Sequence, residues 1–276
     1  MTTDCARDET AINRALQLQH TLYQSRNPAR RWLHLSRVQW IIDHAAAYGK
    51  TARGPIVDVG AGCGAILPGL SELFHAVLGI DKQPLFLKDA GTSPIVGRGQ
   101  IHLAAGDLRS LPLQEDAAGV VICSEVLEHI KAPQACLNEI YRVLAPGGIL
   151  ILSTPQPFSL VEIIGRIAFS APVLPLAKRI YREPIAPTGH INLMSMKTVT
   201  RQLSRAGFAI LKTHRSGLYL PGISDLRSDR IQQVTRRLNA KLMNTRLAPL
   251  LWTQFFVAQK PQSAMSSKKE QPRIRR

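Results

Sequence analysis

The chain has 276 residues, of which 45% are apolar, 5% aromatic and 20% charged, and its formal net charge is +16. This length and apolar fraction suffice for one large domain with a sizeable core, and they exclude collagen-like, disulfide-scaffold and wholly disordered chains. The four cysteines form no C-x-x-C pair and are too scattered for a disulfide framework or a structural zinc site. We therefore expect a reducing, cytoplasmic compartment.

Neither a secretory signal nor a membrane-spanning helix is expected from the sequence. Residues 1–20 carry five charged side chains and lack a long apolar run, unlike a signal peptide. The most apolar long stretch, 158–177, contains Glu162, Arg166 and two prolines, which makes it a poor spanning helix. The sequence thus predicts a soluble protein.

The excess positive charge lies entirely in the C-terminal part of the chain. Residues 1–150 contain 14 Lys and Arg and 14 Asp and Glu, whereas residues 151–276 contain 21 basic and 5 acidic residues. Such an asymmetry indicates an anionic partner (phospholipid, nucleic acid or an acidic substrate), although a solvated basic face would give the same count. Residues 259–276 are rich in Lys, Arg, Ser, Gln and Pro, which predicts a disordered basic tail.

Predicted helices and strands alternate along the first half of the chain. Two helices, 10–25 and 32–48, form an N-terminal segment (1–50), and the apolar run 55–59 then suits a buried parallel strand. Short alternation of strand and helix predicts an α/β fold, a Rossmann-like doubly wound sheet covered on both faces. After the first strand we predict helices at 65–75, 83–90 and 133–144, and strands at 76–80, 100–104, 118–123 and 148–153.

The alternation breaks after Thr154 for about 35 residues. Ser159 and Glu162 form a capping box, and several prolines make the later part irregular. Ligands of doubly wound sheets bind at the carboxyl ends of the strands, so we expect a substrate lid at about 155–189. The remaining elements complete a domain at 51–258 with a mostly parallel, seven-stranded sheet whose last strand is antiparallel. They are a helix at 195–206, a strand at 208–214, a basic helix at about 224–244 and a strand at 250–258.

A glycine-rich loop follows the first predicted strand and contains Asp58, Gly60, Gly62 and Gly64. Glycines let the backbone turn sharply and let a ligand approach main-chain atoms closely. Asp81 follows the next strand, about 20 residues on, where a carboxylate would meet the hydroxyls of an adenosine ribose. The loop also fits a G-x-G-x-x-A dinucleotide fingerprint. On its own it leaves NAD, S-adenosylmethionine and a tight turn without ligand as alternatives.

Four further segments stand in the order and spacing of a known family. With the glycine loop, they make residues 50–215 resemble the class I S-adenosylmethionine-dependent methyltransferases. The resemblance implies that S-adenosylmethionine is the cofactor, that Asp81 and Lys82 bind it at the ribose, and that Asp107 and Leu108 lie at the adenine. Ser124 opens the motif that would lie near the methionine part and the substrate. The four segments are Gly79-Ile-Asp81, Gly106-Asp-Leu108, Ser124-Glu-Val-Leu-Glu-His129 and Val143-Leu-Ala-Pro-Gly-Gly148.

Within that family, the sequence is more similar to the O-methyltransferases of ubiquinone biosynthesis. An Asn-Pro-x-Arg segment precedes the glycine loop in that group, and by resemblance Arg30 would reach the carboxylate of the cofactor, unless it only begins a surface helix. In some members an E-x-x-E-H motif binds a divalent metal, here Glu125, Glu128 and His129. Most relatives with these residues need no metal, so none is expected.

Transfer of a methyl group to oxygen requires removal of a proton from the acceptor, which a positioned base accelerates. His129 is the first candidate, because it follows a strand end on the cofactor side of the sheet. His190 is the second, since it ends the irregular insert; a structural role is the alternative for each. The apolar residues of the insert suggest a small, hydrophobic or lipid-like acceptor, and its basic residues suggest peripheral contact with an anionic membrane at the inner face.

Three other functions compete with this interpretation. The basic C-terminal part would suit an RNA or protein methyltransferase, but only 7 Phe, 5 Tyr and 3 Trp residues are available for stacking, which makes nucleic acid an unfavoured partner. An NAD-dependent enzyme would need a dinucleotide site that the later motifs do not support. A non-catalytic binding module should have a damaged glycine loop or lack Asp81, and neither change is present.

Overall fold

A computed structural model describes residues 22–50, 52–92, 100–168, 190–220, 223, 224, 226 and 228–262. The predicted α/β class is confirmed, because one seven-stranded sheet has the order β3-β2-β1-β4-β5-β7-β6. Its strands are β1 (Ile56–Val59), β2 (Val77–Asp81), β3 (Ile101–Ala105), β4 (Ala118–Ser124), β5 (Leu144–Pro155), β6 (Ala209–Ser216) and β7 (Thr253–Gln259).

The first five strands are parallel, and β7 runs antiparallel to both β5 and β6. The chain order reverses between β1 and β4, which is the switch point at which doubly wound sheets bind ligands. Every predicted strand is found, with shifts of a few residues at the ends. The predicted antiparallel last strand is therefore confirmed as well.

Helices cover both faces of the sheet. Successive residues of a strand point to opposite faces, so Val121 and Cys123 pack into one hydrophobic cluster while Val120 and Ile122 pack into the other. The first cluster lies under α4 and α6, and the second lies under α1 and α2. The helices are α1 (Pro28–Gly49), α2 (Leu67–Ser71), α3 (Pro84–Gly91), α4 (Pro133–Val143), α5 (Leu160–Ala168), α6 (Met196–Arg205) and α7 (Asp229–Leu242).

The boundaries of two helices before β2 are wrong, and the basic helix predicted at about 224–244 spans only Asp229–Leu242. Helix α1 starts at Pro28 rather than at 32, because the Asn27 side chain accepts hydrogen bonds from the backbone of Ala29 (2.9 Å) and Arg30 (3.1 Å) and so caps it. Helix α2 is much shorter than the predicted 65–75 and includes Gly69, where a Cβ would collide with Ile42 of α1. The predicted helix 10–25 lies almost wholly outside the described residues.

The predicted disordered tail begins too early at 259. Gln259 ends β7, and Lys260 is buried, donating to Asp116 Oδ1 (2.6 Å) and to the carbonyl of Tyr141 (3.0 Å). Residues 263–276 lie outside the described residues. Of the predicted lid, the described part is the segment up to 168, which contains α5, and residues 169–189 lie outside the description. None of the helices described is both long and apolar enough to cross a membrane.

Candidate functional site

The glycine loop leaves β1 at the switch point of the sheet. Gly60, Gly62 and Gly64 have φ values of 75°, 54° and 75°, a left-handed region that other residues rarely adopt. A Cβ on Gly60 would collide with a methyl group of Val126, which follows β4. The loop therefore depends on glycine both for its backbone and for its close approach to the chain after β4.

Asp81, at the end of β2, is anchored to the same loop. One of its carboxylate oxygens accepts from the backbone of Gly62 and the other from Gln83, both at 2.8 Å. Asp58 lies buried at the end of β1, where burial and the charge of Asp81 raise its pKa to about 7. Two carboxyl groups thus occupy adjacent strand ends, and the structure places the predicted ribose residue against the predicted loop.

Asp107 lies in a cluster of charges beyond β3. Its carboxylate is 2.6 Å from Nη2 of Arg109 and 3.2 Å from Nζ of Lys82. The hydrogen bonds from Arg109, more than the contact with Lys82, hold the pKa of Asp107 well below its usual range. Leu108 is buried in the core. Lys82 and Asp107, both predicted to bind the cofactor, are thus in contact with each other.

The segment after β4 is held in an unusual conformation. Glu125 has a φ of 57°, and its carboxylate is held from two sides, by the hydroxyl of Ser153 (3.1 Å) and by Nη1 of Arg37 (3.2 Å). Ser124, a predicted cofactor residue, shares a hydrogen bond of 2.9 Å with Ser153. A non-glycine residue in this region persists only where its surroundings impose it, and such residues cluster at functional sites.

Arg37 was not predicted as a site residue. It lies on α1 with a side chain only 7% exposed, and its guanidinium contacts Glu125 and the hydroxyl of Tyr23 (3.4 Å). Burial alone would lower its pKa, but the charge of Glu125 and the contact with Tyr23 raise it overall. The predicted Arg30 lies seven residues earlier, about 10 Å along the helix axis. The structure therefore brings Arg37 to the motif after β4.

A sequence signal for Arg37 does exist. It occupies the third turn of α1, in a buried series of residues four apart, namely Leu33, Arg37, Ile41 and Ala45. A charged residue in line with such an apolar face is buried, and a buried charge requires a partner.

Beyond Glu125, a short 3₁₀ turn (Leu127–His129) brings acidic and basic groups together. Glu128 is fully buried, and Thr154 donates to one of its oxygens at 3.1 Å. Burial, followed by the charge of Glu125, raises the pKa of Glu128 well above its usual range. Its second oxygen accepts no hydrogen bond from the described residues and lies 4.0 Å from Nε2 of His129, whose side chain is 45% exposed. His129 is thus the accessible member of the pair.

His190 lies next to His129 in space although 61 positions separate them in sequence. The two rings have centroids 5.3 Å apart. Nδ1 of His190 is 3.0 Å from Oε1 of Glu162 on α5, and both side chains are 9% exposed. The backbone of Ile191 donates to the carbonyl of Glu128 at 2.9 Å, which holds this segment against the 3₁₀ turn. The two histidines predicted as catalytic therefore belong to one cluster.

The same cluster offers ligands for a cation. Glu128, His129 and His190 have ligand atoms that all lie within 4.8 Å of one another. One carboxylate with two imidazoles suits a transition metal or zinc better than magnesium. The alternative set of Glu125, Glu128 and His129 is less well arranged, because the Glu125 carboxylate contacts Arg37 and Ser153.

Comparisons with known proteins agree with this geometry. Residues 57–152 match the family model described as a methyltransferase domain. An uncharacterized methyltransferase of Mycobacterium leprae is 30% identical over 156 residues, which cover 55% of this chain and 57% of that protein. A ubiquinone biosynthesis O-methyltransferase of Xanthomonas oryzae is 29% identical over 151 residues, covering 53% of this chain and 62% of that protein.

The chain thus spans less than two thirds of the length of these curated relatives. Among solved structures, an S-adenosylmethionine-dependent methyltransferase from Mesorhizobium loti superimposes with a TM-score of 0.53 at 18% identity, covering 80% of this chain and 97% of that chain. These comparisons agree with the predicted resemblance: residues 57–152 match a methyltransferase domain, and the Mesorhizobium loti enzyme shares the fold.

Proposed function

We propose that the protein transfers a methyl group from S-adenosylmethionine to an oxygen of a small, hydrophobic acceptor. The observation that carries the proposal is the meeting of two strand ends at the contact of Gly60 with Val126. This contact joins the loop anchored to Asp81 with the turn that exposes His129. A cofactor on the loop and a base at the acceptor thus have positions on one edge of the sheet.

We assign the cofactor contacts by position along that edge. Asp81 would accept hydrogen bonds from the ribose hydroxyls, and the segment of Asp107 and Leu108 would border the adenine. At the other end, the methionine carboxylate would need a charge-assisted partner, and the resemblance points to Arg30, since the guanidinium of Arg37 already pairs with Glu125. S-adenosylmethionine would supply the methyl group on a positively charged sulfonium sulfur.

His129 is the proposed general base. Its exposed imidazole would take the proton of the acceptor hydroxyl as the oxygen–methyl bond forms. His190, held by Glu162, would fix the orientation of His129 by packing against its ring. Positioning of the acceptor in line with the methyl group would supply much of the remaining acceleration.

The surface around this cluster favours an apolar acceptor. Phe158, Ile163 and Ile167, on or just before α5, and Ile191, beside His190, are all exposed although they are large and hydrophobic. Isolated exposed apolar residues are ordinary, but a group beside a candidate base is typical of a binding site. Oxygen as the acceptor atom is supported by the name of the Xanthomonas oryzae relative.

The first test is a thermal-shift titration with S-adenosylhomocysteine and, in parallel, NADH. A ligand that binds only the folded state stabilises it by about 2.7 kcal/mol at a hundredfold excess over Kd. We expect a shift with S-adenosylhomocysteine alone, and loss of most of that shift in Asp81→Ala. A shift with NADH alone would reassign the glycine loop to a dinucleotide.

A second test separates an enzyme from a binding module. His129→Ala should lower turnover of a phenolic acceptor by roughly 10²–10⁴-fold, the usual contribution of a general base, with little change in cofactor affinity. His129→Gln is the conservative partner, since it keeps polarity but cannot take the proton. Unchanged turnover in both variants would remove His129 as the base, and absence of turnover in the unmodified protein would favour the module.

A further inference from the structure

Helix α7 lies in the connection between β6 and β7 and packs against the protein with its polar face. Its buried residues are Gln232, Thr235 and Asn239. The side-chain oxygen of Asn239 accepts from the backbone of Gly217 (2.9 Å) and Leu218 (3.0 Å), which fixes the helix to the end of β6. Surface helices of globular proteins normally bury their apolar face, so this arrangement is inverted.

The opposite side of α7 is cationic and apolar. Arg230, Val234, Arg237 and Lys241 follow at intervals of four, three and four residues, so they share one side of the helix, which we call the α7 outer face. Val234 is 52% exposed, and the adjacent Leu238 is 42% exposed.

The positive charges of the α7 outer face are not stabilised by neighbouring side chains within the helix. Arg237 and Lys241 are four residues apart, a spacing at which like charges repel, and the helix contains a single acidic residue, Asp229 at its first position. The fourth cation of the helix, Arg236, points elsewhere and lies 5.5 Å from the centre of the Trp32 ring. Among the described residues, no ion pair involves the cations of the α7 outer face, so they are available to a negative surface.

The apolar character continues beyond both ends of α7 and towards the candidate site. Ile223 and Leu226 before the helix, and Leu247 after it, are all more than half exposed. Leu242, in the last turn of α7, packs with Leu160 of α5 on one small hydrophobic cluster. The C-terminal end of α7 thus meets the start of α5, the helix beside His190, at one hydrophobic cluster.

We propose that the α7 outer face docks on an anionic phospholipid bilayer. Cations that alternate with aliphatic side chains are typical of helices that lie in a membrane interface, where the cations meet headgroups and the aliphatic groups enter the acyl boundary. A single-stranded nucleic acid would instead call for aromatic stacking residues, and the exposed large residues of α7 are aliphatic. The inference goes beyond the proposed methyl transfer and does not require it.

Vesicle co-sedimentation of the full chain tests the proposal. Vesicles of phosphatidylcholine mixed with phosphatidylglycerol should bind the protein, and pure phosphatidylcholine should bind it far less. Removing two cations in Arg237→Gln/Lys241→Gln should weaken binding to the anionic vesicles by roughly 10- to 30-fold, since each cation near such a surface contributes about a fivefold factor. Both side chains are exposed and glutamine is a good helix former, so the fold should persist.

The matched control removes the same charge elsewhere. Arg201 and Arg205 are exposed on α6, which packs on the other side of the sheet from α1. Arg201→Gln/Arg205→Gln should change vesicle binding much less, and Val234→Ser/Leu238→Ser should weaken the binding that remains at high salt. The shift with S-adenosylhomocysteine should be the same in all variants, which separates a failure of docking from a failure of the proposed function.

Three outcomes would overturn the proposal. Equal losses in the α6 and α7 variants would mean that net charge alone attracts the protein to vesicles. Unchanged vesicle binding in the α7 variants would remove this face as the docking surface. If these variants instead lose binding to a polyuridine probe while vesicle binding persists, the α7 outer face is a nucleic-acid surface.

Discussion

Gly60→Ala tests whether the contact between the glycine loop and the segment after β4 is as tight as the structure indicates. Gly60 has a φ of 75°, and a left-handed backbone costs an alanine about 1–2 kcal/mol. The new Cβ would also collide with Val126, and such overpacking typically costs about 1–3 kcal/mol. We therefore expect a loss of about 2–5 kcal/mol in the free energy of unfolding.

The two contributions can be separated with Val126→Ala. Truncating Val126 removes the methyl groups that the new Cβ would meet, but it leaves the cost of the backbone conformation. In a urea-denaturation cycle, the double variant should recover about 1–3 kcal/mol relative to the sum of the single variants. Gly165→Ala on α5 is the matched control, because no atom of the described residues lies within 4 Å of the added Cβ. It should be neutral or gain about 0.5–1 kcal/mol.

A coupling of zero would refute the reasoning, since it would mean that Val126 does not contact the loop. A large loss of unfolding free energy in Gly165→Ala would show that an added methyl group destabilises the protein at an open site as well. The Gly60→Ala result could then not be attributed to the contact with Val126.

Three further predictions concern buried charges. Burial raises the pKa of Asp58 to about 7, above its value in the unfolded chain, so the contribution of this carboxyl group to stability is lost as pH rises towards 7. Asp58→Asn should therefore be more stable than the unmodified protein at pH 8 but not at pH 4. Urea denaturation curves at the two pH values check this, and equal effects at both would contradict it. Arg37→Met should cost about 3 kcal/mol by leaving Glu125 without its cation, and Arg37→Met/Glu125→Gln should recover part of that loss in thermal unfolding. Lys260→Met should cost about 1–3 kcal/mol of unfolding free energy through the lost hydrogen bonds to Asp116 and the backbone. Truncation after residue 262 should leave the unfolding free energy unchanged. Equal effects of the two changes would contradict the inference that Lys260 belongs to the folded domain.

The alternating strands and helices and the glycine loop were the features that could be predicted from the sequence. Apolar runs ending in glycine or aspartate gave the strands, because a parallel strand covered on both faces must be apolar almost throughout. The glycine loop and Asp81 could be placed together since both follow neighbouring parallel strands, and Gly62 indeed donates to Asp81. These features depend on residues close together in the sequence, so a short stretch of sequence is enough to predict them.

The remaining part depends on contacts between distant segments. Arg37 meets Glu125 only because α1 crosses the sheet at the end of β4, and the spacing of motifs gives no sign of that crossing. The approach of His190 to His129 likewise depends on backbone hydrogen bonds to Glu128 across a long insert. The resemblance pointed to Arg30, and the spacing of the motifs did not single out Arg37 on the same helix.

The charges of the site lead to one more prediction, which concerns the cofactor itself. Asp58 and Glu128 lie two residues from the contact of Gly60 with Val126, on either side of it, and the pKa of each is raised by burial. A positive sulfonium bound at this contact would favour their ionised forms and lower both pKa values, whereas the uncharged sulfur of S-adenosylhomocysteine would not. Affinity for S-adenosylmethionine should therefore rise with pH through the region around 7, by up to about tenfold per pH unit for each linked proton, while affinity for S-adenosylhomocysteine stays nearly flat.

Calorimetric titrations of both ligands at pH 6, 7 and 8 measure this difference. Asp58→Asn should flatten the curve for S-adenosylmethionine, because it removes the group whose pKa of about 7 lies in that range. Parallel slopes for the two ligands would mean that the positive charge is bound elsewhere. Selective attraction of the charged form would have a kinetic consequence as well: methyl transfer abolishes the positive charge, so the product would be released from the same carboxyl groups that had drawn the cofactor in.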